Sequence, residues 1–252
     1  MGRIIAIANQ KGGVGKTTTS INLSAALSEK GKSVLLLDLD PQGNSTSGLG
    51  VDKNEANTIY DLLVNDTPVE NCIRRNVWRT MDMIPSTVNL AGAEIEMLDI
   101  PRHEFILKQQ LMTIEPQYDF IIIDCPPSLN LLTVNALTTA NSVLVPIQCE
   151  FYAMEGLTQL MYTIQLVQKK LNPSLQMEGV VFTMYDVRTN LSQQVVDSVK
   201  QYLRDKVYDT IIPRNVRLAE APSHGMPIME YESRSSGAEA YRKLADEVIR
   251  YH

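Results

Sequence analysis

Short, unbroken apolar runs recur along the chain, separated by longer stretches in which apolar residues return every three or four positions. The runs lie at residues 4–8, 34–37, 81–84, 120–123, 143–147, 179–183 and 208–212. They are rich in Val, Ile and Leu and do not alternate with polar residues. That is the signature of strands covered on both faces, as in a parallel sheet. The periodic stretches predict helices near 18–30, 58–64, 91–98, 104–114, 131–140, 155–171, 192–206 and 238–251. Strand and helix alternate. The pattern predicts an α/β fold, doubly wound, with a mostly parallel sheet flanked by helices. No repeat, low-complexity segment or Gly/Ser linker divides the chain. Its 252 residues are enough for a large core, and one domain over 1–252 is expected.

Ligands in such folds bind at the carboxyl ends of the strands, and the polar motifs fall there. The first run is followed by Lys11-Gly12-Gly13-Val14-Gly15-Lys16-Thr17, with Thr18 opening the periodic stretch beyond. Strand, glycine loop and helix in that order form a phosphate loop. Glycines let the backbone curl so that its N–H groups face phosphate oxygens, and the helix N-terminus adds partial positive charge. Lys16 can reach the β- and γ-phosphates of a nucleotide, and the Thr17 hydroxyl can ligate Mg²⁺. These features predict a nucleoside triphosphate and Mg²⁺ as ligands and a P-loop NTPase fold; the family resemblance below makes the nucleotide ATP. The loop departs from G-x-x-x-x-G-K-[ST], because Gln10 stands at the first glycine position and a second lysine, Lys11, lies beside it.

Asp38-Leu39-Asp40-Pro41-Gln42-Gly43-Asn44 follows the second run. Carboxylates at i and i+2 of an extended segment point to one side, and either can reach a magnesium shell or a water. Asp, Pro, Gly and Asn also suit an ordinary turn. The run at 120–123 ends in Asp124, the form of a Walker B element whose carboxylate holds Mg²⁺. Cys125-Pro126-Pro127-Ser128 then makes a stiff second switch. Two later strand ends, Thr183-Met184-Tyr185-Asp186 and the stretch from Pro213 to Pro222, resemble a nucleotide-base-binding region, with ordinary surface loops as the alternative.

The early lysine, the D-x-D-P-Q-G-N segment and the D-C-P-P-S string together resemble the ParA/MinD family of ATPases with a deviant Walker A loop. The match runs from Ile4 to Ile249 and is most similar to the chromosomal ParA branch, often called Soj. The resemblance implies that Asp40 orients the attacking water and that Asp38 lies near the magnesium shell with Thr17 and Asp124. It implies that Pro213 and Asn215 pack around the adenine and ribose. A second lysine so early in a tight loop is badly placed to fold onto its own γ-phosphate. The resemblance has Lys11 reach across an ATP-dependent homodimer to the partner's nucleotide, like an arginine finger in trans. It also implies non-specific binding of double-stranded DNA, with Arg188 and Arg217 at DNA-contact positions, and a ParB-like partner that stimulates a weak ATPase. Lys16, Lys11 and Asp40 are then the catalytic set. A mixed, solvated surface is the alternative for the arginines.

Composition narrows this. The net charge of −6 argues against a generally basic nucleic-acid binder but permits one basic face. Cys72, Cys125 and Cys149 form no C-x-x-C pair, and His103, His224 and His252 have no metal-ligand spacing. No signal layout, membrane-length apolar run or myristoylation pattern is present. A cytoplasmic protein without a membrane partner is expected, nucleoid-associated when ATP-bound. The periodic stretch at 238–251 suits a core-facing helix rather than a basic membrane helix. The full expectation is an ATP-driven dimerising switch that partitions chromosome or plasmid DNA. The competing readings are a MinD-like positioning ATPase and an ATP-dependent metabolic enzyme on the same fold.

Overall fold

The computed structural model describes residues 2–54, 57–150 and 153–251. Its strands are β1 (Arg3–Ile7), β2 (Val34–Asp38), β3 (Arg74–Trp78), β4 (Met81–Ile84), β5 (Phe120–Asp124), β6 (Ser142–Gln148), β7 (Gln176–Tyr185) and β8 (Val207–Pro213). The helices on one face of the sheet are α1 (Lys16–Glu29), α2 (Asn44–Gly48), α10 (Val216–Glu220), α11 (Ile228–Tyr231) and α12 (Ser236–Arg250). The others are α3 (Ile59–Val64), α4 (Val69–Cys72), α5 (Leu90–Glu96), α6 (Ile106–Leu111), α7 (Leu131–Thr139), α8 (Ala153–Lys170) and α9 (Asn190–Leu203).

The strands form one sheet in the order β3-β4-β2-β5-β1-β6-β7-β8. Every pairing is parallel except β3 with β4. The doubly wound α/β expectation holds. The unbroken apolar runs are explained by two cores, one on each face. In β1, Ile4 and Ala6 enter one core with α3 to α9, while Ile5 and Ile7 enter the other with α1, α11 and α12. Side chains alternate across a strand, so a strand covered on both sides is apolar at every position.

The edge strand β3 falls outside the apolar pattern. It reads Arg-Arg-Asn-Val-Trp, has a neighbour on one side only, and pairs irregularly with β4. An edge half open to water needs no apolar run, and charge there discourages pairing with another chain. The stretch at 104–114 divides into a 3-10 turn, His103–Phe105, and α6. The stretch at 91–98 becomes α5 followed by a 3-10 turn, Met97–Asp99. α9 stops at Leu203 because Arg204 takes a positive φ of 48°. The first helix starts at Lys16, two residues before the periodicity suggests. The short helices α2, α4, α10 and α11 carry too few turns to leave a periodic trace. No helix among the described residues is long and apolar enough to cross a membrane.

Register places the chemistry. Ile7 pairs with Asp124, and Asp124 pairs with Asp38, so three strand ends share one row across β1, β5 and β2. β1 lies between β5 and β6, where the chain reverses its direction of travel across the sheet. A crevice opens at such a switch point.

The far edge, β8, is finished by a helix side chain. Glu247 on α12 accepts the backbone N–H groups of Asp209 and Thr210, each at 2.9 Å, and the Thr210 hydroxyl. Its side chain is buried. Glu247→Ala removes the acceptor for both N–H groups, so the variant is expected to lose about 1–3 kcal/mol of unfolding free energy. Urea denaturation measures this, with the slope unchanged.

Candidate nucleotide site

The loop between β1 and α1 is held open by its backbone and pinned at both sides. Gly13 and Gly15 have φ of 74° and 86°, in the left-handed region where a Cβ is costly. Gly15 caps α1, and its carbonyl accepts Thr19 N–H at 2.9 Å. On one side Asn9 donates to the Pro146 carbonyl of β6 at 2.8 Å and accepts Lys11 N–H at 3.0 Å. On the other the Thr183 hydroxyl of β7 donates to the Val14 carbonyl at 2.8 Å. The result is a fixed ring of backbone at the start of a helix, a geometry that binds anions.

The two lysines part company. Lys16 is buried, and its ammonium donates to the Lys11 carbonyl at 3.1 Å, across the ring. Burial pushes its pKa down, opposed most strongly by the charge of Asp124. Lys11 points away from the ring and pairs with Glu150, just past β6, at 2.7 Å.

Below the loop lie the carboxylates. Asp38 is fully buried and accepts the Thr46 N–H at 2.8 Å and the Thr46 hydroxyl at 2.7 Å. Its other oxygen accepts Asp40 N–H at 3.2 Å. Asp124, also fully buried, accepts the Ser20 hydroxyl at 3.0 Å, the Ser45 hydroxyl at 2.7 Å and the Thr17 hydroxyl. Asp40 sits in the turn after β2 and accepts Gln42 N–H at 2.9 Å. Burial raises the pKa of both Asp38 and Asp124, and for Asp38 the neighbouring Asp124 charge raises it further. Two acids in one dry row oppose each other's ionisation.

Beyond the loop a cavity of about 430 Å³ runs from Gly15 and Thr18 to Met184, Pro213, Asn215 and Tyr241. Met184 has a φ of 50°, unusual for a side-chain-bearing residue. Asn215 lines this cavity, but its side chain is engaged. Its oxygen accepts Arg217 N–H at 2.8 Å as the cap of α10, and its amide donates to Ser236 at 2.9 Å.

Residues 2–177 match the family model described as AAA domain. The sporulation initiation inhibitor protein Soj of Bacillus subtilis is 59% identical over 249 residues, covering 98% of each chain. The chromosome partitioning protein ParA of Myxococcus xanthus is 51% identical, covering 99% of this chain and 89% of its own. The chain belongs to the ParA/Soj family. Among solved structures, cobyrinic acid a,c-diamide synthase of Mycobacterium smegmatis with bound ADP and magnesium superposes with a TM-score of 0.88 at 40% identity, covering 100% of this chain and 95% of its own.

Arg188 and Arg217, which the ParA/Soj resemblance marks as DNA contacts, both lie on the surface in ion pairs. Arg188 binds both oxygens of Asp186, at 2.8 and 2.6 Å, which holds that carboxyl well below its usual range. Arg217 pairs with Glu220 at 2.8 Å. Any anion that engages either arginine competes with a carboxylate already there.

Several residues that build the site lie outside the ParA/Soj motifs. Ser20 stands one turn after Lys16 and reads as a polar helix position. Ser45 and Thr46 follow directly after the D-x-D-P-Q-G-N string, where a preference for turns is the visible signal. Glu150 is a single polar residue just past a strand end, and only the sheet order brings it to the loop; Asn9 stands two residues before Lys11, and Thr183 opens a strand-end string whose contact with Val14 the sequence does not reveal.

The raised acids give a pH expectation. A carboxyl whose folded pKa exceeds its unfolded value costs no stability below the unfolded pKa. It destabilises increasingly as pH rises past about 4 toward the raised value. Asp38→Asn removes one charge of the pair. The nucleotide-free variant should therefore gain stability relative to wild type as pH rises from 4 to 8. The advantage should shrink at pH 4. Denaturant titration at the two pH values measures it, and an equal difference at both would contradict the assignment.

Proposed function

We propose that this chain is an ATP-driven dimerising switch that binds duplex DNA without sequence preference and partitions chromosome or plasmid DNA with a ParB-like partner. Residues 1–252 act as one ATPase domain, cytoplasmic and nucleoid-associated in the ATP state. The observation that carries the reading is the row Ile7–Asp124–Asp38 directly beneath a pinned glycine ring. Membership of a family with partition-named relatives supports it, among them the ParA of Myxococcus xanthus at 51% identity.

The residues divide the work. Backbone N–H groups from Gly12 to Thr17 and the start of α1 cradle the phosphates, with Thr18 beside them. Lys16 turns from the Lys11 carbonyl to the β- and γ-oxygens. Its lowered pKa reflects a buried cation awaiting an anion. The adenine enters the cavity at Pro213. Asn215 reaches the ribose or base only by giving up Ser236.

The donor set fits magnesium. Thr17, Asp38 and Asp124 are hard oxygen groups, and the two acids form a buried like-charged pair whose repulsion a cation removes. No group of three or more acidic, His or Cys side chains poised for a metal occurs among the described residues. That suits an ion held by one or two protein oxygens together with phosphates and waters. Held by Thr17, Asp38 and Asp124, magnesium would supply positive charge to neutralise charge developing on the phosphate oxygens. Asp40 positions the attacking water, which is most of what phosphoryl transfer asks of a side chain. Lys11, released from Glu150, contributes positive charge to the nucleotide of the second subunit.

A second reading comes from the 40% identical cobyrinic acid a,c-diamide synthase structure: ATP chemistry on a small molecule. ATP turnover measured with and without duplex DNA decides between them. Stimulation by DNA together with a ParB-like protein supports the switch, and indifference to both supports the enzyme.

Three variants separate binding, dimerisation and turnover. Lys16→Ala should abolish ATP binding in calorimetry. Asp40→Ala should bind ATP, accumulate as a dimer in light scattering, and turn over slowly. Lys11→Ala should bind ATP yet neither dimerise nor hydrolyse. A monomeric Asp40→Ala protein, or normal turnover by Lys11→Ala, contradicts these roles.

DNA affinity should rise steeply with ATP, because a dimer doubles the phosphate contacts on one surface. The logarithm of the binding constant should fall with log salt by ~0.9 per phosphate neutralised, with little dependence on sequence. Arg217→Glu should weaken DNA binding and leave ATP-dependent dimerisation intact. A salt titration of duplex binding for both proteins is the test. Absence of ATP-dependent DNA binding by wild type at low salt removes the partition mechanism.

A further inference from the structure

A lysine that belongs to none of the sequence motifs reaches the turn that carries Asp40. Lys53 is half-buried in the segment after α2, and its ammonium donates to the Gln42 carbonyl at 2.8 Å. Packing confirms the contact independently of that bond. Gly43 has a φ of 60°. A Cβ on it would stand 2.8 Å from Lys53 Nζ, 2.9 Å from Lys53 Cε and 2.8 Å from the Ser86 carbonyl oxygen. The space where Gly43 lacks a side chain is therefore filled by the end of Lys53, laid against backbone.

The segment that presents Lys53 is itself anchored. Val51 N–H donates to the Thr46 carbonyl at 3.1 Å. Asp52 accepts the Asn54 N–H at 2.9 Å and the Asn54 side-chain amide at 3.0 Å, which closes a turn around Lys53. An ammonium held this way is a charged donor on a neutral carbonyl, which makes the stronger kind of hydrogen bond.

The carbonyl it holds lies next to the support of Asp40. Gln42 N–H donates to Asp40 Oδ1 at 2.9 Å, and Gly43 N–H donates to the Asp40 carbonyl at 2.9 Å. The peptide unit joining Gln42 to Gly43 is thus fixed at both ends, its C=O by Lys53 and its N–H by Asp40. Asp38 is oriented by the N–H and hydroxyl of Thr46 on α2. The Asp40 carboxylate is oriented by the N–H of its own turn, so its aim follows the turn.

We propose that Lys53 is a positioning residue for Asp40: it locks the Gln42–Gly43 peptide and so keeps the Asp40 carboxylate aimed at the attacking water. The effect on turnover rests on the proposed role of Asp40 in the ATPase; the hold on the turn does not. Lys53 grips the turn after β2 rather than the phosphate loop, so its loss should slow the chemical step and spare nucleotide binding.

The test compares the full chain with Lys53→Met, which keeps the stem and loses the donor, and with Lys53→Arg, which keeps a charged donor. With ATP and magnesium, Lys53→Met should lower kcat about tenfold, within what a misplaced group costs, and keep KM for ATP within about twofold. Lys53→Arg should recover most of the loss. In an Asp40→Ala background Lys53→Met should slow turnover no further, because both act through one carboxylate. Without nucleotide, amide exchange followed by NMR should quicken about tenfold at Gln42 and Gly43 in Lys53→Met. Exchange at Thr46, bonded to Asp38, should stay as in wild type.

Unchanged kcat in Lys53→Met, a loss carried by KM alone, or Lys53→Arg no faster than Lys53→Met overturns the positioning role. A full further loss in the Asp40→Ala background, or unchanged exchange at Gln42 and Gly43, overturns it too. Asp40→Ala turning over at the wild-type rate, or no turnover by wild type, overturns the proposed ATPase chemistry and the role of Lys53 together. Slow Asp40→Ala beside Lys53→Met at the wild-type rate overturns the role of Lys53 alone.

Discussion

Two carboxylates held side by side in a dry row are the constraint around which the rest of the site is arranged. Parallel pairing of β2 with β5 puts Asp38 next to Asp124, and nothing in the sheet can separate them. The fold meets the cost with hydroxyls. Thr17, Ser20 and Ser45 turn toward Asp124, and Thr46 gives both its N–H and its hydroxyl to Asp38. These donors come from α1 and from α2, so the same bonds fasten the glycine loop and the segment after β2 to the strand ends. In the proposed switch, a cation with its phosphates would favour one arrangement of this pair and its hydroxyl donors, and their loss another.

The lysines complete the electrostatics from opposite directions. Lys16 is buried over the acids and bonded to its own loop carbonyl, so the anion that releases it gains a desolvated cation at short range. Lys11 is withdrawn to Glu150, outside the ring. One chain alone thus holds a phosphate cradle with one lysine aimed in and one aimed out. In the proposed switch, the outward Lys11 is the group that would meet a second copy across the site. The surface arginines follow similar logic. Arg188 and Arg217 each rest on a carboxylate, so binding a polyanion there trades one ion pair for another and gains chiefly from released counterions.

Much of this is legible in the chain, for definite reasons. The interior strands announce themselves because burial on both faces makes every position apolar, and the glycine loop, Asp38, Asp40 and Asp124 stand at the ends of those runs. β3 is not legible, since an edge strand reading Arg-Arg-Asn-Val-Trp has no face that must be apolar throughout. Nor are Ser45 and Thr46, whose turn-forming character masks their service as donors. The pairing of Glu150 with Lys11, the bond from Asn9 to Pro146 and the bond from Thr183 to Val14 need the order of β1, β6 and β7, a long-range fact that no local window contains. Asn215 shows the opposite limit. The motif brings it to the cavity beyond the loop, but its bonds to Arg217 and Ser236 depend on α10 and α12 meeting there.

The most direct test of the central claim is the thermal stability of the wild-type protein with ATP alone and with ATP plus magnesium, measured from pH 5 to pH 8. If the paired acids await a cation, magnesium should add stability beyond ATP alone. The increment should grow as pH rises and Asp38 and Asp124 are driven toward their charged forms. An increment of zero, or one that does not change across that range, would contradict the account.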